Sequence, residues 1–252
     1  MKSSKVPCTG VFFASWSHGL VARGGAARSP VMKNALIIGA SGGIGAAVTA
    51  QLQEQGVAVT PLSRRADGLD VTSKEQVEQV LGALDGPFDL IFVAIGILAP
   101  EGGAPEKSLA AIDADAMARV LTVNTIGPAL ILRHAARLLP KDRRGIVAVL
   151  SARVGSIGDN KIGGWYSYRA SKAALNQIVH GAAIELRRSQ KQSICVALHP
   201  GTVATPFTAA YADRHKTVPA GTAAQNLLGV IGALRPDQTG GFYDYAGQEI
   251  VW

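Results

Sequence analysis

Short apolar runs alternate with longer amphipathic segments along most of this chain. Asn34–Ile38 (NALII) is followed at once by GASGGIG and the amphipathic Ala46–Gln55, which predicts a strand, a glycine turn and a helix. Val57–Leu62 predicts a second strand and Lys74–Leu84 the next helix. Phe88–Ile95 (FDLIFVAI) has the apolar run expected of a strand covered on both faces. A long helical stretch over Ala114–Leu139 leads to a strand at Gly145–Leu150 (GIVAVL). A helix follows from about Gly163 to Arg188, then a strand at Ser193–Leu198, a helix over Thr222–Leu234 and a short strand at Gly241–Tyr245. Strands alternating with helices in this way predict an α/β fold, a doubly wound parallel sheet. No internal repeat, low-complexity tract or second boundary interrupts residues 32–252, which read as one domain.

Residues 1–31 show no such periodicity. They read as a disordered extension or as a start assigned ahead of the true one at Met32; a transit-type leader is the competing reading. A secretory signal fits poorly, because the apolar segment near Val11–Trp16 is short and interrupted. The chain is 48% hydrophobic and only 17% charged over 252 residues, enough for a well-buried core. Of the net charge of +7, four positive charges (Lys2, Lys5, Arg23, Arg28) stand in the acid-free first 31 residues, which leaves +3 for the rest. The remaining basic residues are scattered, so nucleic acid is not an expected partner. The apolar stretch around Leu90–Ala99 is too short to span a bilayer, so no membrane partner is expected either. Two cysteines and five unclustered histidines suggest neither a disulfide framework nor a metal site. A cytoplasmic location suits this composition, with organelle import through residues 1–31 as the other reading.

The glycine turn changes the picture from a fold to a binding site. Gly39-Ala40-Ser41-Gly42-Gly43-Ile44-Gly45 sits between the first strand and the first helix. Glycines there let a pyrophosphate approach the backbone, and the helix N-terminus supplies N–H groups and a positive dipole. This Rossmann-type arrangement predicts a dinucleotide. After the second strand, Ser63-Arg64-Arg65 occupies the place where an NAD-selective site holds an acid. A guanidinium there pairs with a 2′-phosphate, so NADP is the expected cofactor with NAD as a second possibility, and Arg64 is the better candidate. The competing reading is two solvated surface arginines. Asp70-Val71 could reach the adenine, or Asp70 could simply cap its loop. Tyr168 and Lys172 stand four apart, on one face of a helix, where a Lys⁺ is expected to lower the phenol's pKa and make it an acid–base catalyst.

Together with Asn124, the serine after GIVAVL and Pro200-Gly201, these motifs resemble the short-chain dehydrogenase/reductase family over about Lys33–Trp252. The segment Ser151–Asn176 and the ending FYDYAGQEIVW are similar to its C-factor-like and Sniffer-like carbonyl-reductase branch. The resemblance implies Tyr168 as general acid in reduction and base in oxidation, with Lys172 holding the nicotinamide ribose. It implies Ser151 as the group that polarises the carbonyl, and Asn124 as support for a water-mediated proton relay to Lys172. Pro200, Gly201, Thr202, Val203 and Thr205 would border the nicotinamide or the phosphates. A homodimer or homotetramer acting on a small carbonyl or alcohol is the family's usual form.

Two departures stand out. Where the family commonly has Asn-Asn-Ala-Gly, this chain has Val93-Ala94-Ile95-Gly96, so contacts from Ala94 and Gly96 to the cofactor would come from backbone alone. The GSIGDNKIGG insertion lengthens the gap between Ser151 and Tyr168, which makes Ser156 a rival for the carbonyl-binding serine. His199 reads as strand-end packing; Trp165 and Tyr166 either line the substrate mouth or pack the insertion. The substrate loop, about Thr205–Pro219, shows no obvious anchor. The expected function is an NADP-preferring carbonyl/alcohol oxidoreductase; the alternative is an NAD(P)-binding regulatory protein of the C-factor type with little turnover.

Overall fold

The computed structural model describes residues 32–208 and 217–252. The extension expected at residues 1–31, and residues 209–216 of the expected substrate loop, lie outside the described residues. Six strands form one parallel sheet: β1 (Asn34–Ile38), β2 (Ala58–Leu62), β3 (Leu90–Val93), β4 (Gly145–Leu150), β5 (Ser193–His199) and β8 (Phe242–Asp244). Their order across the sheet is β2-β1-β3-β4-β5-β8. β6 (Val203–Ala204) and β7 (Val218–Pro219) pair separately as a short parallel ribbon. The doubly wound α/β expectation holds.

The register shows why the apolar runs are continuous. Leu36 pairs with Ile91, Ile91 with Val147 and Val147 with Cys195, so these four form one row on one face. Their successors Ile37, Phe92, Ala148 and Val196 form the row on the other face. The first face packs on helices α3 (Lys74–Gly82), α5 (Gly127–Leu132) and α7 (Tyr166–Ser189) through Val77, Leu81, Ile131, Leu175 and Val179. The second packs on α1 (Gly43–Glu54) and α8 (Ala220–Ala233) through Val48, Leu52, Leu227 and Ile231. Each such aliphatic side chain contributes roughly 1.5–3 kcal/mol on full burial, so neither face of the sheet tolerates a polar alternation. From β1 the chain moves outward one way to β2 and then the other way to β3, which opens a crevice beyond the carboxyl ends of those strands.

The long helix expected over Ala114–Leu139 is instead broken. It consists of α4 (Ala114–Leu121), a wider π turn at Thr122–Ile126, α5, and the short α6 (Ala135–Leu138). (α2, Arg64–Asp67, is a single turn after β2.) Pro128 has no N–H and cannot donate to the carbonyl of Asn124, four residues earlier. Gly127 N–H donates to Thr122 O, one residue further back than an α-helix requires.

Inside the π turn, the fully buried Asn124 holds the loop after β3. Ile97 N–H donates to its Oδ1 at 2.7 Å, and its Nδ2 donates to Ile97 O at 2.8 Å and to Ser171 Oγ at 3.0 Å. One side chain therefore ties β3's exit to α7. Asn124→Leu keeps the volume but removes three hydrogen bonds; we expect a loss of about 1–3 kcal/mol in urea unfolding, and an unchanged midpoint would show that the clamp is dispensable.

Candidate active site

Two adjoining clefts open beyond the carboxyl ends of the strands, of about 450 Å³ and about 600 Å³. The first holds Ser151, Tyr168 and Lys172 against Gly42–Gly45, Gly96, Pro200 and Gly201. The second continues past Gly39 to Ser63, Arg64, Asp70 and Val71. Ser41, Gly42, Ala94 and Gly96 border both, so the two make one elongated trough across the switch in strand order.

Helix α7 is fixed at its start by a buried carboxylate. Glu106, 9% exposed, accepts hydrogen bonds from Ser167 N–H at 3.2 Å and from the Ser167 hydroxyl. Its own backbone O accepts from Trp165 N–H at 2.6 Å. Burial works against ionising this carboxyl, yet the hydrogen bonds from the Ser167 hydroxyl, from its own backbone N–H and from Ser167 N–H together outweigh it and hold its pKa below the ordinary value. A negative charge at this end also complements the helix dipole. Trp165 takes a left-handed turn (φ 53°) to enter the helix, and its ring meets the Tyr168 ring edge-on at 6.2 Å between centroids. The insertion is thus joined to the helix at the residue preceding its first turn.

Tyr168, Lys172 and Asn176 follow at successive turns of α7 and are all buried. Lys172 Nζ donates to Leu150 O at 3.0 Å, at the end of β4, and stands 6.0 Å from the centre of the Tyr168 ring. The next residue, Ser151, donates its hydroxyl to Asn176 Oδ1 at 2.6 Å. Phenol, ammonium and hydroxyl are therefore positioned by one strand end and one helix face. Spacing alone led us to expect a depressed Tyr168 pKa, and here desolvation prevails. Burial pushes the Tyr168 phenol above its ordinary value and pushes Lys172 down to about 8. Both shifts favour the uncharged form, as removal of water must. The phenol keeps its proton at neutral pH.

The residues present fit a dinucleotide. A Cβ on Gly39 would collide with Ala94 O, and one on Gly45 would collide with Gly39 O, so the turn closes only with glycine at both places. Gly42, which precedes α1, contributes no side-chain cap, so the first N–H groups of the 12-residue helix are left for an anion. Ser63 caps α2 by accepting from Ala66 N–H at 3.2 Å, which sets Arg64 at the trough's edge. Arg64 is exposed and forms no salt bridge among the described residues. Asp70 both lines the trough and caps its own loop, accepting from Thr72 N–H at 2.9 Å and Thr72 Oγ1 at 2.7 Å.

The two clefts take in most of the expected site residues, but not all. Arg65 and Thr202 line neither cleft. Arg65 follows Arg64 on the single turn α2, while Thr202 O, just before β6, accepts from Val218 N–H at 3.0 Å. Ser156 also lies outside both clefts, its Oγ accepting from Asp159 N–H at 3.0 Å inside the insertion. Asn124 does not border the trough; it sits beneath Gly96, where an added Cβ would lie 3.3 Å from its Oδ1 and 3.4 Å from Lys172 Nζ. His199, read as packing, lines the first cleft, and burial lowers its pKa to about 4. Phe207 also lines the cleft, 6.0 Å from the Tyr168 ring, and Arg119 borders the second cleft. No sequence motif marks Phe207 or Arg119, whereas the position of His199 before Pro200-Gly201 was a usable signal. Among the described residues, no helix is long and apolar enough to cross a membrane and no cluster of three metal-ligating side chains occurs.

The Lys172 shift has a stability consequence. Its folded pKa, about 8, lies below the ordinary 10.5. Between these values the unfolded chain carries a proton that the folded protein has released, so this residue's contribution to stability rises with pH across that window. Relative to Lys172→Met, the unmodified protein should gain about 1 kcal/mol in urea unfolding between pH 7 and pH 9. A difference that stays constant over this range would contradict the shift.

Comparison with known proteins agrees with this geometry. The profile described as short chain dehydrogenase matches residues 33–216. The 1-hydroxy-2-glutathionyl-2-methyl-3-butene dehydrogenase of Rhodococcus sp. (strain AD45) is 31% identical over 236 residues, 88% of this chain and 100% of that protein. The C-signal protein of Myxococcus xanthus is 39% identical over 148 residues, 58% of this chain and 84% of that one. A Burkholderia multivorans protein of the short-chain dehydrogenase/reductase type, solved with bound NADP, superposes with a TM-score of 0.75 at 25% identity, covering 88% of this chain and 100% of that one. With a parallel sheet, a glycine turn and a Tyr/Lys helix placed as described, the chain belongs to the short-chain dehydrogenase/reductase family, oxidoreductases that act on CH–OH and C=O groups.

Proposed function

We propose that this protein interconverts a small carbonyl compound and its alcohol, with NADP(H) preferred over NAD(H). The observation that carries this reading is the convergence of Ser151, Tyr168 and Lys172 on a cleft continuous with the glycine turn and Arg64. When bound, the nicotinamide would supply or accept the hydride. Gly39–Gly45 and the α1 N-terminus would hold the pyrophosphate, Arg64 the 2′-phosphate, and Lys172 the ribose. The Ser151 hydroxyl would donate to the carbonyl oxygen, and Tyr168 Oη would deliver the proton that completes the alcohol. The phenol carries its proton at neutral pH, as the donor in reduction must. The Asn124 backbone carbonyl, which Pro128 cannot engage, would help hold a water that resupplies the proton through Lys172. The NADP-bound Burkholderia relative and the exposed Arg64, which forms no salt bridge among the described residues, support the cofactor preference.

Similarity to C-signal favours a second reading, a cofactor-binding regulator with little turnover. Assay with NADPH against a panel of aldehydes, ketones and quinones separates the two. In the enzyme reading, Tyr168→Phe should lower turnover by about 10²–10⁴-fold with NADPH affinity intact. Ser151→Ala should also slow turnover, while Ser156→Ala should not. An unaffected Tyr168→Phe enzyme would end the mechanism.

Arg64→Ala should weaken NADPH binding by about ten- to a hundredfold, the scale of one charge-assisted hydrogen bond, and leave NADH binding nearly unchanged. Calorimetric titration that finds equal losses for both cofactors would place Arg64 away from the 2′-phosphate.

A further inference from the structure

Asn176 has an unexplained half. Its side chain is 3% exposed, its Oδ1 accepts the Ser151 hydroxyl proton at 2.6 Å, and its Nδ2 is buried without a partner among the described residues. A buried amide N–H group left unpaired is unfavourable. The same hydrogen bond also directs the only proton of Ser151 into the protein. A serine hydroxyl has one donor and two acceptor lone pairs. While it donates to Asn176, it has nothing to donate to a carbonyl in the cleft.

Half a turn of the amide about its terminal torsion resolves both problems. Nδ2 then donates to Ser151 Oγ, occupying a lone pair, and the Ser151 O–H is released towards the cleft. An under-satisfied carbonyl oxygen takes the buried place of Nδ2, which is the milder of the two defects. We propose that Asn176 is a positioning residue for the reaction: its amide rotates to donate to Ser151, and so aims the serine proton at the substrate carbonyl. This rests on the reading that Ser151 binds that carbonyl. No covalent bond changes in the step; one hydrogen bond reverses its direction. The site's geometry supports it, because Tyr168, Lys172 and Asn176 share one face of α7, and Ser151 is held to the sheet by its own N–H, which donates to Leu198 O of β5 at 2.8 Å.

Asn176→Asp separates this role from packing. A carboxylate has the same shape but only accepts, so it locks the Ser151 proton away from the cleft; a protonated carboxyl can again donate. At pH 8, kcat should fall about tenfold or more, the scale of one hydrogen bond, with KM for NADPH unchanged. Relative to the unmodified enzyme, the rate should recover as the pH is lowered from 8 to 5. The charged and titratable groups on the elements packed here are Tyr166, Tyr168, Arg169, Lys172, His180, Glu185, Arg187 and Arg188 on α7 itself, Arg153 after β4, Cys195 and His199 on β5, and Asp115 and Arg119 on α4. All are present in both proteins, so the ratio of the two pH profiles isolates residue 176. In a Ser151→Ala background, Asn176→Asp should have no further effect on kcat. A loss that is the same at every pH, or that persists with Ser151 removed, would overturn the proposal and leave the carbonyl-binding role of Ser151 standing. A silent Ser151→Ala would overturn both. Should Asn176→Asp fail to fold, Asn176→Leu decides by the same cycle: its loss of kcat must vanish in the Ser151→Ala background.

Discussion

The removal of water from Tyr168 and Lys172 is the constraint around which the rest of the site is arranged. Both side chains are buried on one face of α7, and burial drives both towards their neutral forms. A surface lysine would titrate near its free value, whereas burial brings Lys172 to about 8, within reach of neutral pH. Burial becomes productive because the neighbours are fixed: Leu150 O holds the ammonium and Glu106 anchors the start of the helix. The wall that carries Ser151 is the same strand end that binds Lys172. Moving any one of these groups would move the others.

The sheet supplies that rigidity. Two faces of aliphatic side chains leave β1, β3, β4 and β5 without freedom to shift register, so their carboxyl ends form a fixed rim. The glycine turn after β1 stands at that rim, and the π turn lies beside it. Pro128 and Asn124 convert a helix that propensity alone would run straight into one that reaches back to Ile97 and Ser171. Local irregularity here serves to bring the exit of β3 against α7.

Much of this was legible in the chain itself. Continuous apolar runs such as GIVAVL located the central strands, because a strand covered on both faces has no polar alternation. The glycine turn was legible because Gly39 and Gly45 admit no side chain, and Ser151 could be preferred over Ser156 by its place at a strand end. The break in the Ala114–Leu139 segment was less so; Pro128 was a visible warning, but helical periodicity on either side masked it. Phe207, Arg119 and Asn176 depend on contacts across the fold that spacing does not encode. The Tyr168 shift ran opposite to expectation for a similar reason. Sequence shows that a lysine is four residues away, but not how completely both groups lose their water.

A direct titration of the Lys172 side chain tests whether desolvation governs the site. In the full-length protein with lysine side chains labelled at Cε, the resonance assigned by its loss in Lys172→Met should titrate with a midpoint near 8, as its burial requires. A midpoint at the ordinary lysine value of 10.5 would show that the ammonium remains solvated, and would contradict the buried Tyr168/Lys172 pair as the basis of the chemistry.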